Sequence, residues 1–471
     1  MVRERHPLVG FGEPGRVEAG GRGERVRIAP DRPRRVEQSA RQRRQHRGPL
    51  HVATIRDGRP GSQDRQRGSS SRRRASARIF PGEETMELAR LHVTVVGGAT
   101  GGAAAALLLA RAGARVTLLE RALHPRALGA GIGLADNGLA VLESLGLLPA
   151  LAERARPVGA ARIVDGARRT IYSPPGAPPR VWMVRRGDLQ GLLLDALAAE
   201  PRIDVRFGAA VERATPDGRV RLRAAGRGEE LAADLVIGAD GVDSTVRESG
   251  GFGARVPPPG IPYLRTLVEG AEALGEEAWT AAGLFGSFPV PGGVYVYASA
   301  GSRATRSAVA ARDLAALRSA WAGAYPASAS LLAAIRRFDD LLVHPVRRID
   351  CARWFDGRLA LLGDAAHAMA PNLGQGANSA LVDAAVLLDE LRQAGTLPAA
   401  LAAFEARRRP AVRRVADAAA RLGALAEWTH PLARALRDRA LMPLAARLSR
   451  ASDLARVLQE PRETLLAIGR A

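Results

Sequence analysis

Leu91-His92-Val93-Thr94-Val95-Val96-Gly97-Gly98-Ala99-Thr100-Gly101-Gly102 is a β-branched apolar run that ends in glycines. An Ala/Leu-rich stretch, 103–112, follows it, and then Arg115-Val116-Thr117-Leu118-Leu119-Glu120. This order predicts strand, turn, helix and strand, the βαβ unit of a parallel sheet buried on both faces. Glycines at such a turn let the backbone approach a pyrophosphate, and the helix N-terminus favours its negative charge. In the G-x-G-x-x-G register Gly97 and Gly102 match, while Ala99 replaces the middle glycine. Thr100 and Gly101 complete the turn. Glu120 closes the second strand 23 residues after Gly97, placed to accept both hydroxyls of an adenosine ribose. A carboxylate there repels a 2′-phosphate, so the expected ligand is FAD or NAD. The competing reading is a glycine-rich turn beside a surface glutamate.

Further apolar strands are expected at 204–207, 233–238 and 358–362, the last followed by a helical pattern over 376–391. Segments 161–186 and 256–349 differ in texture. Alternating Val294-Tyr295-Val296-Tyr297 and scattered Pro and Gly suggest a mixed sheet. From 396 onward the chain is Ala/Leu/Arg helix, expected to kink or break at Pro410 and Pro431. The resulting division is an Arg-rich extension without a fold (1–85), a dinucleotide domain (86–160, 187–255 and 350–395), a substrate domain (161–186 and 256–349) and C-terminal helices (396–471).

The chain has 471 residues and a formal charge of +21. Every cation other than histidine is arginine, a pattern that points to biased codon usage. Residues 1–85 carry 21 Arg against 10 acids, so just over half the net charge sits in a segment whose composition builds no core. Two readings compete there: a basic arm for nucleic acid, or an extension upstream of a natural start at Met86. Charge runs without interleaved aromatics are ordinarily just solvated, which favours the second. One cysteine, Cys351, allows no internal disulfide. No secretory pattern opens the chain, and no run reaches the roughly 18 apolar residues of a membrane span. The expectation is a soluble, cytoplasmic protein without a metal.

Two further stretches narrow the reading. Asp234-Leu235-Val236-Ile237-Gly238-Ala239-Asp240-Gly241-Val242-Asp243-Ser244-Thr245-Val246-Arg247 ends a buried strand in an Asp-Gly turn. Gly363-Asp364-Ala365-Ala366-His367-Ala368-Met369-Ala370-Pro371-Asn372-Leu373-Gly374-Gln375-Gly376-Ala377-Asn378 follows another. With the first motif, and over about residues 90–420, the chain resembles the single-component FAD-dependent aromatic hydroxylases, the family of salicylate and p-hydroxybenzoate hydroxylases. The resemblance implies an α/β fold: a Rossmann-like FAD-binding domain, a mixed-sheet substrate domain and C-terminal helices. It implies FAD as cofactor, NADH or NADPH as co-substrate, and oxygen transfer through a flavin C4a-hydroperoxide to an electron-rich small molecule.

The resemblance also carries roles to particular residues. Asp364 matches the aspartate that contacts the ribityl chain. Asp240 matches one near both FAD and the nicotinamide path. Arg186 matches an arginine near the pyrophosphate, with Arg185 an adjacent alternative register. Pro371 matches a proline beside the flavin ring. Beside the resemblance, the glycines at 374 and 376 leave backbone amides unobstructed at the start of the next helix, so the backbone of Gly374, Gln375 and Gly376 is expected to face the pyrimidine end of the flavin or its phosphate. Gly97, Gly98, Ala99, Thr100, Gly101, Gly102, Glu120 and Arg121 complete the expected cofactor set. The competing role for the aspartates is helix capping. His367 belongs to the same motif, where a structural, hydrogen-bonded role is the default. Tyr263, Tyr295, Tyr297 and Trp182 are either cavity lining or packing. Val382 stands where the family often has Glu beside Asp383. No catalytic base is nameable. Rival functions are a flavin-dependent reductase of the same fold and a flavin-fold protein that binds nucleic acid through its basic arm.

Overall fold

The computed structural model describes residues 86–124, 130–159, 162–173, 180–448 and 457–470, so the readings of 1–85 lie outside the described residues. The opening motif folds as read. Strand β1 (His92–Val96), helix α1 (Thr100–Arg111) and strand β2 (Arg115–Glu120) form the βαβ unit. From Ala103 to Ala110 every residue of α1 is buried, which is why the sequence there is small and apolar rather than amphipathic.

A six-stranded sheet is built around β1. On one side lies β2 and then Ile203–Phe207; on the other lie Leu235–Gly238, Leu359–Leu361 and the edge pair Phe355–Asp356. All contacts but the last are parallel, with Val96 opposite both Leu119 and Gly238. The chain steps outward from β1 in one direction and then returns to its other side. The gap between β1 and Leu235–Gly238 is therefore the topological switch point, where ligands of open α/β sheets bind at the carboxyl ends of the strands.

A seven-stranded mixed sheet supplies the second layer, in the order Leu342–Pro345, Pro262–Glu269, Gly293–Ser299, Leu284–Val290, Glu276–Trp279, Arg162–Val164 and Thr170–Tyr172. Strand alternation sorts its faces. Leu264, Val268, Val294, Val296 and Phe285 pack with Leu317, Trp321 and Leu331 of the helices behind. Tyr263, Arg265 and Leu267 point the other way, as do Tyr295 and Tyr297 of the neighbouring strand. Strand Val181–Arg185 joins Gly131–Ala135 and Ala155–Val158 in a separate three-stranded sheet instead of the large one.

The expected break at Pro410 does not occur. Helix Leu397–Ala426 runs through it, and Pro431 instead opens the next helix, Pro431–Leu436. A proline inside a helix costs about 3 kcal/mol. The cost is offset here by the face that carries Phe404, Arg408, Ala411 and Val412 into the core against helix Gly376–Gln393. At the first turn of Pro431–Leu436 the missing N–H costs nothing. No described helix is long and apolar enough to cross a membrane.

Candidate active site

Because the central strands are parallel, their carboxyl ends share one edge. That edge collects the glycine turn after β1, Glu120 at the end of β2, Asp240 after Leu235–Gly238 and Asp364 after Leu359–Leu361. Gly97 has φ +103°, and a Cβ on it would lie 2.5 Å from the Ala239 carbonyl oxygen. A Cβ on Gly102 would collide with the Gly97 carbonyl oxygen. Only glycine fits at either place. Gly101 instead lets α1 approach Ala380 and Leu362.

Gly98 N–H donates to Glu120 Oε2 (2.8 Å) and Ala122 N–H to Oε1 (2.9 Å), fixing the carboxylate beside the turn. Arg121 next to it is exposed. Helix α1 begins at Thr100 with Ala99 as its cap. It has no side-chain cap bond and no acid in its first turn. Helix Gly376–Gln393 likewise starts without a side-chain cap or a first-turn acid. The exposed Asp364 carboxylate faces Gly376, 3.8 Å from where its Cβ would be. Two uncapped helix N-termini, a cradle that a Cβ would fill and a carboxylate held at a strand end fit the phosphates and hydroxyls of a dinucleotide.

The other expected residues have partners of their own. Asp240 accepts from Ser244 Oγ (2.5 Å) and Val246 N (3.2 Å), so it holds the Asp-Gly turn as well as facing the edge. Burial raises its pKa against those bonds. Arg186 is exposed at the start of helix Arg186–Ala199. Gln375 is buried and turns inward, its Oε1 accepting from Asn137 Nδ2 (3.1 Å). Pro371 is half-buried and opens a short 3-10 turn, and Gly374 closes that turn at φ +62°.

His367 is buried. Its Nε2 lies 2.6 Å from Asp383 Oδ2, and its ring stacks on Trp354 at 5.0 Å. Asp383 also accepts from Gly363 N (3.0 Å) and from Nε of the fully buried Arg408 (2.8 Å). Burial works to raise the Asp383 carboxyl, but His367 and Arg408 outweigh it and hold it at about 2. This cluster braces Gly363, the residue before Asp364.

Across from the edge, the tyrosine face of the large sheet meets the 371–374 turn. Asn372 Nδ2 donates to Tyr263 Oη (3.0 Å). Phe288 and Tyr297 stack with centroids 6.1 Å apart, and Tyr295 lies 5.6 Å from Tyr297. Tyr297 Oη donates to Glu277 Oε2 (2.6 Å), and Trp279 Nε1 donates to the other oxygen (2.7 Å). Burial first, and the neighbouring Glu277 second, push the Tyr297 phenol far up. Trp182 sits apart, under the Arg180 guanidinium at 4.7 Å.

Several residues of this region escaped the sequence reading. Gln190 Nε2 donates to Gly98 O (2.8 Å), one helical turn after Arg186. Buried Arg247 bridges Val242 O (2.8 Å) and Ala365 O (3.1 Å), tying the two aspartate motifs together. Asn378 clasps Gly133 O (3.0 Å), Gly374 O (2.8 Å) and Ala135 N (3.0 Å). Arg247, Asn372 and Asn378 lie inside the quoted motifs, where their polar side chains were a usable signal. Glu277 carried none. Among the described residues no group of three or more His, Cys, Asp or Glu is placed to hold a metal ion.

The family described as FAD binding domain matches residues 90–261 and 324–419. The chain is similar to the aurachin C monooxygenase/isomerase of Stigmatella aurantiaca, at 32% identity over 76% of this chain and 95% of the relative. It is similar to the 3-amino-4-hydroxybenzoate 2-monooxygenase PtmB3 of Streptomyces platensis, at 34% identity over 76% and 94%. Among solved structures, HpxO of Klebsiella pneumoniae, complexed with FAD and uric acid, superposes with a TM-score of 0.66 at 25% identity over 80% of this chain and 97% of that one.

Proposed function

Since the chain belongs to the FAD binding domain family and is an FAD-dependent monooxygenase, we propose that it hydroxylates a small aromatic ring held between the 371–374 turn and the tyrosine face of the large sheet. The observation that supports this reading most is the direct bond from Asn372, beside the flavin-motif proline, to Tyr263 of the sheet. It joins the two layers at one place, next to the Phe288, Tyr297 and Tyr295 rings. Aromatic side chains of this kind offer a planar substrate an apolar surface with polar rims.

Bound FAD, reduced by NADH or NADPH, supplies the activation of oxygen. The chain supplies the rest. In this reading the Gly97–Gly102 turn and the α1 N-terminus hold the pyrophosphate with Arg186 nearby, Glu120 with Arg121 beside it takes the adenosine ribose, and Asp364 takes the ribityl hydroxyls. Asp240 flanks the cofactor groove, Pro371 borders the flavin ring, and the amides of 374–376 meet the pyrimidine end. The cofactor layer then comprises 86–160, 187–255 and 350–395, and the substrate layer 161–186 and 256–349. The large sheet excludes water from the ring, and Tyr263, Tyr297 and Asn372 orient it.

The test is a panel of aminohydroxybenzoates, hydroxybenzoates and hydroxyquinolines assayed for NAD(P)H oxidation, oxygen uptake and product mass together. Aromatic-dependent oxidation with matching oxygen uptake and one added oxygen in the product is expected. NAD(P)H oxidation coupled to substrate reduction, without oxygen uptake, would instead make the chain a reductase of the same fold.

A further inference from the structure

Of the eight large apolar side chains exposed among the described residues, five are leucines of one stretch: Leu432, Leu436, Leu441, Leu444 and Leu448. Helix Pro431–Leu436, the π turn Arg437–Leu441 and helix Met442–Leu448 follow one another there without a break. The leucines are four, five, three and four residues apart. A π turn takes one residue more than an α turn, so the step of five across Arg437–Leu441 keeps Leu441 in line with Leu436. The five therefore form a stripe on one side of the helix.

The other side is fastened to the protein. Arg437 is fully buried, donating to Leu425 O (3.0 Å), Ala426 O (3.3 Å) and Trp279 O (3.2 Å), with its guanidinium 5.3 Å from the centre of the Trp279 ring. Met442 is buried in one cluster with Tyr263, Trp279 and Ile171. With these anchors inside, the leucines cannot turn inward. A continuous apolar stripe of this kind marks an interaction surface, unlike single leucines scattered over a protein.

The charges around the stripe narrow what can cover it. Residues 431–448 contain four arginines and one acid, Asp438, which Arg437 Nε already engages at 2.7 Å. Arg439 and Arg447 are exposed among the leucines, so the outward charge of the helix is positive. A second copy meeting this face about a two-fold axis sets arginine against arginine with no acid to answer it. Residues 1–85, with 21 Arg against 10 acids, are repelled for the same reason. The linking residues Ser449-Arg450-Ala451-Ser452-Asp453-Leu454-Ala455-Arg456 hold one large apolar side chain, too few to cover five. An anionic lipid surface meets both needs, with hydrocarbon for the leucines and phosphates for the arginines.

We propose that the outer face of helix 431–448 docks the protein on an anionic membrane, lying in the interface and not spanning it. The inner face of the same helix packs on Tyr263 and Trp279, so the lipid lies about one helix diameter, roughly 10 Å, from the tyrosine face of the large sheet. The docking does not depend on which ring that face holds.

Flotation of the FAD-loaded full chain with vesicles tests it, using phosphatidylcholine alone or mixed with phosphatidylglycerol. Wild type should float with the phosphatidylglycerol vesicles, less so at high salt, and only weakly with phosphatidylcholine. Leu436→Glu/Leu444→Glu should lower that binding at least about tenfold with FAD content and melting temperature unchanged, because both leucines are exposed. Arg439→Gln/Arg447→Gln should lose about fivefold per arginine on the phosphatidylglycerol vesicles and nothing on phosphatidylcholine. Binding that persists in Leu436→Glu/Leu444→Glu belongs to the arginines of 1–85 and overturns the proposal. Wild type that stays unbound overturns it too, and a dimer abolished by the same variant, seen by light scattering, then assigns the face to a second copy. If Leu436→Glu/Leu444→Glu loses FAD, Leu432→Gln/Leu448→Gln, at the two most exposed of the five, makes the same comparison. None of these readouts requires turnover, so they stand or fall apart from the substrate reading above.

Discussion

Replacing Asp383 by asparagine removes one charge from the buried cluster and almost no volume. Asp383 accepts from His367, Gly363 N–H and Arg408 at 2.6, 3.0 and 2.8 Å. Both Arg408 and Asp383 have fully buried side chains. An asparagine has one accepting oxygen and an NH2 that must face one of the donors, so Arg408 is left without its countercharge. Breaking a buried pair from one side costs about 3–5 kcal/mol. Linkage provides a second figure. A carboxyl held at about 2 instead of 3.8 is worth about 2.5 kcal/mol when ionised. The two agree on about 3 kcal/mol, a large part of the roughly 5–15 kcal/mol that holds a domain folded. Asp383→Asn should therefore fold with a lowered melting temperature. It should also purify with less FAD, because Gly363 loses its anchor next to Asp364. Chemical denaturation and the absorbance ratio of flavin to protein measure both. Asp383→Asn/Arg408→Met removes both charges and should recover at least about 1 kcal/mol relative to the sum of the single variants. Strictly additive losses, or a single variant as stable as wild type, would refute the claim that the pair acts as a unit.

Gly102→Ala forces a Cβ into the Gly97 carbonyl and should abolish FAD retention while a far-ultraviolet helix signal persists, checked by flavin release on gel filtration. Glu120→Ala should weaken FAD binding by about 1–2 kcal/mol, measured by fluorescence titration of the apoprotein, and Asp364→Ala should leave a folded protein depleted of flavin. Burial raises the Glu427 carboxyl, which gives it the opposite linkage to Asp383. Between its unfolded value, near 4.5, and about 7 the native state holds the extra proton, so stability falls as pH rises through that window by up to about 3 kcal/mol. Denaturant midpoints from pH 4.5 to 8 should show the fall in wild type and a flatter curve in Glu427→Gln. At the acid end, the stability contributed by Asp383 is present above about pH 4 and is lost as pH drops toward 2.

Strand β1, helix α1 and strand β2 were legible in the sequence because their signals are local: a β-branched run, a glycine turn and a small-residue helix each declare themselves within a dozen residues. The parallel sheet followed from them, and a parallel sheet brings its strand ends to one edge. That explains why motifs more than 120 residues apart, at Gly97, Asp240 and Asp364, meet. Proline 410 marks the limit of local reading. Its preference against helix is real, but the buried face around Arg408 outweighs it.

Local patterns along the chain thus set the α/β fold class and the chemistry of its glycine and aspartate turns. Which charges those turns lean on depends on long-range packing. Asp383 finds Arg408 on the next helix, Gln190 reaches back to Gly98, and Asn372 reaches Tyr263 across 109 positions. A carboxylate carries no sequence pattern that foretells its burial. Its pKa and its partner are set by packing of distant segments, so the groups that tune the site emerge only when the chain is closed on itself.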